Sequence, residues 1–473
     1  MPKVVLPIAN GYYESDSLPI SAQECTNFYP NITQAPALNQ ETLFGTPGLT
    51  QVAKASDISN CRGAHEMNGV PYFVIDGKLY SMSSSYALTD HGQIVGTGRV
   101  SMADNGTQLL VLVPGGNGYI YNHVTDAFVQ ITDSDFTANG NPQQVVFIDG
   151  YFCLTTDSKK FIVSALNDGT NYNALDFGTA ESDPDDIVAP VVFKNQLFIG
   201  GSQTIEAFQN IGGADFPFQR TGLFLQKGII SPFSIQTLQD TFVFIGAGQN
   251  ESPAIWTLTG NNVQKISTTA IDKELSALTE DQIDDIFSWA YAEKGAYFVG
   301  FSLPGSTFVY DNISKRWHER KSSVDGNLGA YRVNALVRAY NKVFAGDLID
   351  GRIGNLDEDV YKEYDEPILR TIVTQPFQQN MDSFVVPEIE ITVESGVGNS
   401  DSADPQIGMA RSKNGKTWAD TRYRKLGKVG EYDHRAIWRR NGRAARYELF
   451  RFTMSDPVKP VLIQLTAEIE SAA

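Results

Sequence analysis

Phe198-Ile199-Gly200, Phe244-Ile245-Gly246, Phe298-Val299-Gly300 and Phe344-Ala345-Gly346 each close a hydrophobic stretch, at spacings of 46, 54 and 46 residues. Phe152, in Gly150-Tyr151-Phe152-Cys153-Leu154, stands another 46 residues upstream of Phe198. Weaker copies occur at Val70-Pro71-Tyr72-Phe73-Val74 and Gln108-Leu109-Leu110-Val111-Leu112. A polar or glycine-containing pair precedes each copy: Asn68-Gly69, Asn105-Gly106, Asp149-Gly150, Lys194-Asn195, Gln239-Asp240, Lys294-Gly295 and Tyr340-Asn341. Such pairs accept the left-handed backbone of tight hairpin turns. A second short strand follows several copies, as in Gly77-Lys78-Leu79-Tyr80, Gly118-Tyr119-Ile120-Tyr121 and Ser306-Thr307-Phe308-Val309-Tyr310. A hairpin that recurs in this way matches the unit of a β-propeller blade, about 40–50 residues and four strands. One such blade cannot bury both faces alone, whereas a ring of stacked blades covers them and protects most strand edges. Seven recurrences give six or seven blades, and six is the expectation.

The longest spacing holds the one helical pattern. Thr279-Glu280-Asp281-Gln282 has the form of a capping box, and Ile283, Ile286 and Phe287 follow at helical spacing. Together with Ile271-Asp272-Lys273-Glu274-Leu275, this reads as a small helical insertion near 270–290, facing a partner. Near residue 370 the repeat stops. Alternating strands follow at 387–393, 406–409, 435–438, 447–452 and 461–465, with no helix among them, which predicts a β-sandwich. The fold class is therefore all-β. The expected domains are 1–55, a segment joining or bracing the propeller; 56–370, the propeller; and 371–473, the sandwich.

Composition supports strands: 42% of the 473 residues are hydrophobic, 19% charged and 11% aromatic, with 41 glycines. Cys25, Cys61 and Cys153 are too few and scattered for a disulfide framework or a metal knuckle, and are expected as buried or half-buried thiols in a chain assembled in a reducing cytoplasm. The N-terminus Met1-Pro2-Lys3-Val4-Val5-Leu6-Pro7 lacks the apolar core of a signal peptide, and no run reaches the roughly 20 apolar residues of a membrane span. No stable membrane insertion is expected. The net charge of −18 is uneven. From Arg411 to Arg451 thirteen basic residues face four acidic ones, which leaves the other 432 residues with a balance of −27. An acidic body repels nucleic acid and favours solubility. The basic stretch suits DNA, an acidic partner, or neighbouring acids of its own sandwich.

No nucleophile elbow, H-E-x-x-H helix, Walker loop or kinase set is present. His65, His91, His123, His318 and His434 are far apart in sequence, and neither a metal nor a cofactor is expected. Asp183-Pro184-Asp185-Asp186 lacks the spacing and glycine of a calcium loop and reads as a solvated turn. Gly115-Gly116-Asn117-Gly118 sits between strands, hence a hairpin turn and not a phosphate cradle. Ser412-Lys413-Asn414-Gly415-Lys416-Thr417-Trp418 approaches the Asp-box hairpin of sialidase-type propellers, with Asn414 at the acidic position, one residue short and outside the repeat.

Further stretches carry a family likeness. They are Asn27-Phe28-Tyr29-Pro30, Phe44-Gly45-Thr46-Pro47-Gly48-Leu49, Gly98-Arg99-Val100-Ser101-Met102-Ala103, Ala180-Glu181-Ser182-Asp183-Pro184-Asp185, Gly201-Ser202-Gln203-Thr204-Ile205-Glu206-Ala207-Phe208 and Gln226-Lys227-Gly228-Ile229. Leu303-Pro304, Phe308-Val309-Tyr310-Asp311 and Ile437-Trp438-Arg439-Arg440-Asn441-Gly442-Arg443 follow in order. In this order and total length the chain resembles the tail-hub, or nozzle, family of short-tailed phages, also called packaged-DNA stabilisation or tail accessory proteins. The resemblance implies a homo-hexameric ring below a dodecameric head-to-tail adaptor. That ring would extend the DNA exit channel, help retain packaged DNA, receive a tail plug or needle and anchor tailspikes or fibres. It implies a structural role in the virion tail, assembled in the host cytoplasm, without catalytic residues. DNA would pass without sequence-specific binding. Within this frame Arg435, Arg439, Arg440, Arg443 and Arg446 are the candidate partner interface, expected to face an acidic neighbour and not the channel. The main rival is a carbohydrate-binding or glycan-cleaving propeller, which would show paired carboxylates near one propeller face; a monomeric propeller scaffold is a second.

Overall fold

The computed structural model describes residues 3–180, 185–213, 216–293 and 295–471. The Phe-x-Gly segments lie on central strands: Gln196–Gly201, Thr241–Gly246, Ala296–Leu303 and Lys342–Asp347. Among the described residues four-stranded antiparallel blades run over 61–93, 101–130, 142–179, 187–225 and 236–265, each in simple sequence order. A sixth, over 287–319, is part of a larger sheet. The seventh is assembled from both parts of the chain. Val333–Ala339, Lys342–Asp347 and Arg352–Asp357 supply three strands, and Gly48–Lys54, far upstream, adds the fourth. Among the described residues the count is thus seven, the higher of the two expected, because the last blade borrows a strand that carries no Phe-x-Gly signature.

The chain forms two compact units, one of residues 51–291 and 332–355, the other of residues 1–50, 292–331 and 356–473. In the first, central strands are apolar on both faces because each faces two neighbours. Leu109 and Val111 pack on Tyr72 and Val74 of the preceding blade. Leu110 and Leu112, pointing the other way, meet Phe152 and Leu154 of the next. Phe198 shares a cluster with Phe242 and Phe244, and Phe344 shares one with Cys61 and Phe73. Fully burying each such ring contributes on the order of 2–3 kcal/mol. Three glycines of the repeat mark places where a blade meets chain too closely for a Cβ. One added at Gly200 would lie 2.2 Å from Ile229 Cδ1, at Gly246 1.9 Å from the Gly228 carbonyl oxygen, and at Gly346 2.4 Å from Cys61 Sγ. The turns follow the expected chemistry. Asn68-Gly69, Asp149-Gly150, Lys194-Asn195 and Tyr340-Asn341 all have positive φ at both positions, as type I′ hairpins require. Gly115 and Gly116 likewise form a hairpin turn, between Gln108–Val113 and Asn117–Asn122.

Two α-helices occur among the described residues. α1 is Thr269–Ser276 and α2 is Glu280–Asp284. The Thr279 and Gln282 capping box is complete, but the helix ends before Ile286 and Phe287, which turn into the core and begin the strand Phe287–Glu293. Their spacing served burial and not a longer helix.

The second unit contains the sandwich. One sheet runs Ala436–Arg439, Glu388–Val393, Val461–Glu468, Glu41–Gly45, Phe28–Ile32, with Lys3–Leu6 also on Val461–Glu468. The other passes from Arg316–Glu319 through Cys25–Thr26 and Arg370–Val373 to Tyr447–Met454, Gln406–Ser412 and Arg422–Lys425. Their shared core holds Leu6, Phe28, Leu43, Ile389, Trp438, Phe452 and Leu465. Residues 1–50 therefore supply strands and core side chains to the unit that holds the sandwich. Asn27 fastens them. Fully buried and left-handed (φ 56°), it donates from Nδ2 to the carbonyls of Lys321 (2.9 Å) and Leu369 (2.8 Å), and accepts at Oδ1 from the Lys321 N–H (3.1 Å). The glycines at 45 and 48 let the same segment lie against Pro460 and the Val360 and Lys362 carbonyls. Cys25, Cys61 and Cys153 are buried free thiols.

Candidate partner interface

The strands Arg422–Lys425 and Ala436–Arg439 are the end strands of the two sandwich sheets. A bare strand edge exposes unpaired carbonyls and invites wrong pairing. Here arginines close it. Arg424 Nε donates to the Ile437 carbonyl (2.7 Å) and Arg422 Nη1 to the Arg439 carbonyl (3.1 Å), while the buried Trp438 donates from Nε1 to the Arg422 carbonyl (2.7 Å). Arg422 also reaches the Asn441 side chain. Part of the basic stretch therefore satisfies backbone.

The five candidate arginines divide. Arg435 grips Glu390 through two bonds of 2.6 Å, and Arg439 Nε meets Glu388 Oε2 at 2.9 Å. Glu388 and Glu390 alternate on one face of Glu388–Val393, and Lys3 reaches both, at 3.0 and 2.7 Å. The Arg435 guanidinium, with Lys3, holds the Glu390 carboxyl down to about 2 against partial burial. Its folded value is depressed, so its contribution is present above the ordinary 4.5 and lost as pH falls through about 2. Arg443 is exposed and donates to Ser383 Oγ at 2.8 Å. Arg440 and Arg446 are exposed and make no ion pair among the described residues. Arg440 also adopts a left-handed backbone, φ 58°, a conformation costing roughly 1–2 kcal/mol for a residue with a Cβ. Of the five, two arginines thus neutralise carboxylates of their own sandwich, and three are exposed with no ion pair among the described residues. Glu388, Glu390 and Lys3 carry no motif in the sequence, although the two glutamates, two residues apart on an alternating strand, share a face.

Elsewhere the chemistry is structural. No group of three metal-ligating side chains comes together among the described residues. Of the Asp183-Pro184-Asp185-Asp186 turn, Asp183 and Pro184 lie outside the described residues. Asp185 Oδ2 is buried and accepts from the backbones of Gln203 (2.7 Å) and Thr204 (2.9 Å). In the Asp-box-like hairpin, Asn414 Oδ1 accepts from the Lys416 and Thr417 N–H groups at 2.9 Å each, which makes it a turn staple. A cavity of about 340 Å³ beside Tyr423 and Thr453 contains one carboxylate, Asp456, already bonded to the Gln406 N–H and the Ser402 hydroxyl.

Strand order and core define the class as a β-propeller followed by a β-sandwich. Residues 4–361 match the family described as Bacteriophage P22 Gp10, beta-propeller, and residues 370–470 match Bacteriophage P22 Gp10, beta-sandwich; the chain belongs to this phage stabilisation family. It is similar to the tail hub protein gp10 of Salmonella phage P22, with 24% identity over 420 residues and 85% of each chain covered. Among solved structures it is similar to the WD40 β-propeller domain of Doa1 (12% identity, 65% of this chain and 97% of that one, TM-score 0.39). It is also similar to U3-55K (9%, 66% and 99%, TM-score 0.38). By its family the chain is a structural tail-hub protein of the phage virion, located in the tail, and not an enzyme.

Proposed function

We propose that six copies of this chain close into a ring that extends the DNA exit channel below a dodecameric head-to-tail adaptor. The ring retains packaged DNA, receives the tail plug or needle and anchors tailspikes or fibres. The observation that carries this assembly is the match, in tandem and in order, to both the propeller and the sandwich of one tail-hub family. Electrostatics supports it. Each phosphate neutralised by a channel wall adds salt-dependent affinity, and a body with a balance of −27 outside Arg411–Arg451 lets DNA slide. The outward arginines of the sandwich contact an acidic protein surface in this arrangement. Native mass measurement of the purified chain, alone and mixed with adaptor rings, tests it. A six-copy mass, or six copies bound per adaptor, is expected; a monomer that ignores the adaptor contradicts it.

A further inference from the structure

We propose that Arg440, Arg443 and Arg446 form the socket for the acidic helix α2 of a second copy of this chain, an inference that rests on the ring assembly above. Arg443, the middle one of the three in sequence, sits on a fixed scaffold. The short strand Arg443–Ala444 pairs with Phe384–Val385, which also pairs with Glu470–Ser471. Ala444, the strand neighbour of Arg443, and Phe384, which pairs with Ala444, are buried. Unlike Arg435 and Arg439, none of the three meets a carboxylate among the described residues, so their charge is available to an outside partner.

The occupant is written in the same chain by charge and shape. Glu280, Asp281, Asp284 and Asp285 fall within six residues, all exposed, and none forms an ion pair among the described residues. Partial burial and then repulsion from Asp281, Asp285 and Glu280 push the Asp284 carboxyl above its ordinary range. That crowding is relieved when cations approach. α2 buries no side chain of its own, yet its capping box is complete. On one side α1 anchors it through Ala270, Ile271 and Leu275, and on the other Ile286 and Phe287 are buried. It is a shaped acidic projection that the core does not need. A contact between two different surfaces of one chain is heterologous, so it propagates head to tail and closes as a ring when the rotation allows.

Charge exchange in the full chain tests this. Arg443→Glu with Arg446→Glu, and separately Asp281→Arg with Asp284→Arg, should each lower the assembled fraction about tenfold or more at near-physiological salt, as for close charge pairs across an interface. The four substitutions combined should restore most of it. Thermal melting of each variant monitors folding, which exposed substitutions leave nearly unchanged. Independently, Arg443→Cys with Asp284→Cys should give disulfide-linked species between chains on oxidation, since the native thiols are buried. Normal assembly of the singly reversed variants, no recovery on combination, or a link formed only within one chain overturns the socket and leaves the hub reading standing. Loss of short-duplex DNA binding in Arg443→Glu with Arg446→Glu, with assembly unchanged, also overturns it. A wild-type chain that stays monomeric on the adaptor removes both.

Discussion

At the residue scale, Asn27 shows how one side chain joins segments about 300 residues apart. Asn27→Ala removes three hydrogen bonds and leaves two half-buried carbonyls and an N–H without their partner. A loss of about 2–4 kcal/mol in chemical denaturation is expected. The tetrapeptide Asn27-Phe28-Tyr29-Pro30 was visible as a family likeness, but its mechanism was not. Hydrogen bonds to Lys321 and Leu369 leave no local pattern in the chain. His318 is a second such residue. Burial, then the Arg320 charge, hold its imidazole down to about 3, and its ring lies edge-on to Phe298 at 5.8 Å. A depressed folded value means that its neutral form contributes stability fully above the ordinary 6.5, lost as pH falls from there towards about 3. Glu319, raised chiefly by burial, opposes this because its strain is relieved on protonation. His318→Phe keeps a ring in place and should move the acid-unfolding midpoint, followed by tryptophan fluorescence, to lower pH. An unmoved midpoint would mean that another group sets it.

At the element scale, the Phe-x-Gly strand is the unit that made the fold legible. Its phenylalanine fills the space between blades and its glycine permits close approach. Gly246→Ala would put a Cβ against the Gly228 carbonyl, which has no flexible end to move aside. A loss of about 2–3 kcal/mol in thermal or denaturant unfolding is expected, as for overpacked cores. Gly295→Ala meets open space instead, so its cost should come from its φ of +79° alone. Blade number was less legible than blade identity. The final strand, Gly48–Lys54, precedes the first blade by sequence, and pairing across about 300 residues has no periodic signature. The helices were legible through capping chemistry, yet Ile286 and Phe287 belonged to the strand register that follows.

At the scale of the molecule, charge separates the roles. Thirteen basic residues crowd into Arg411–Arg451, and the structure shows seven of them at three tasks: Arg422 and Arg424 cap a strand edge, Arg435 and Arg439 hold Glu390 and Glu388, and Arg440, Arg443 and Arg446 are exposed without an ion pair among the described residues. Sequence alone presented these as one basic stretch, because pairing depends on which strands become neighbours. The most direct measurement of the central claim is an image of the phage tail in which this chain carries a label at an exposed turn such as Gly260. Six labels in a ring below the adaptor, around the DNA channel, are the expected result. Particles that complete their tails and retain DNA without the labelled chain would contradict it.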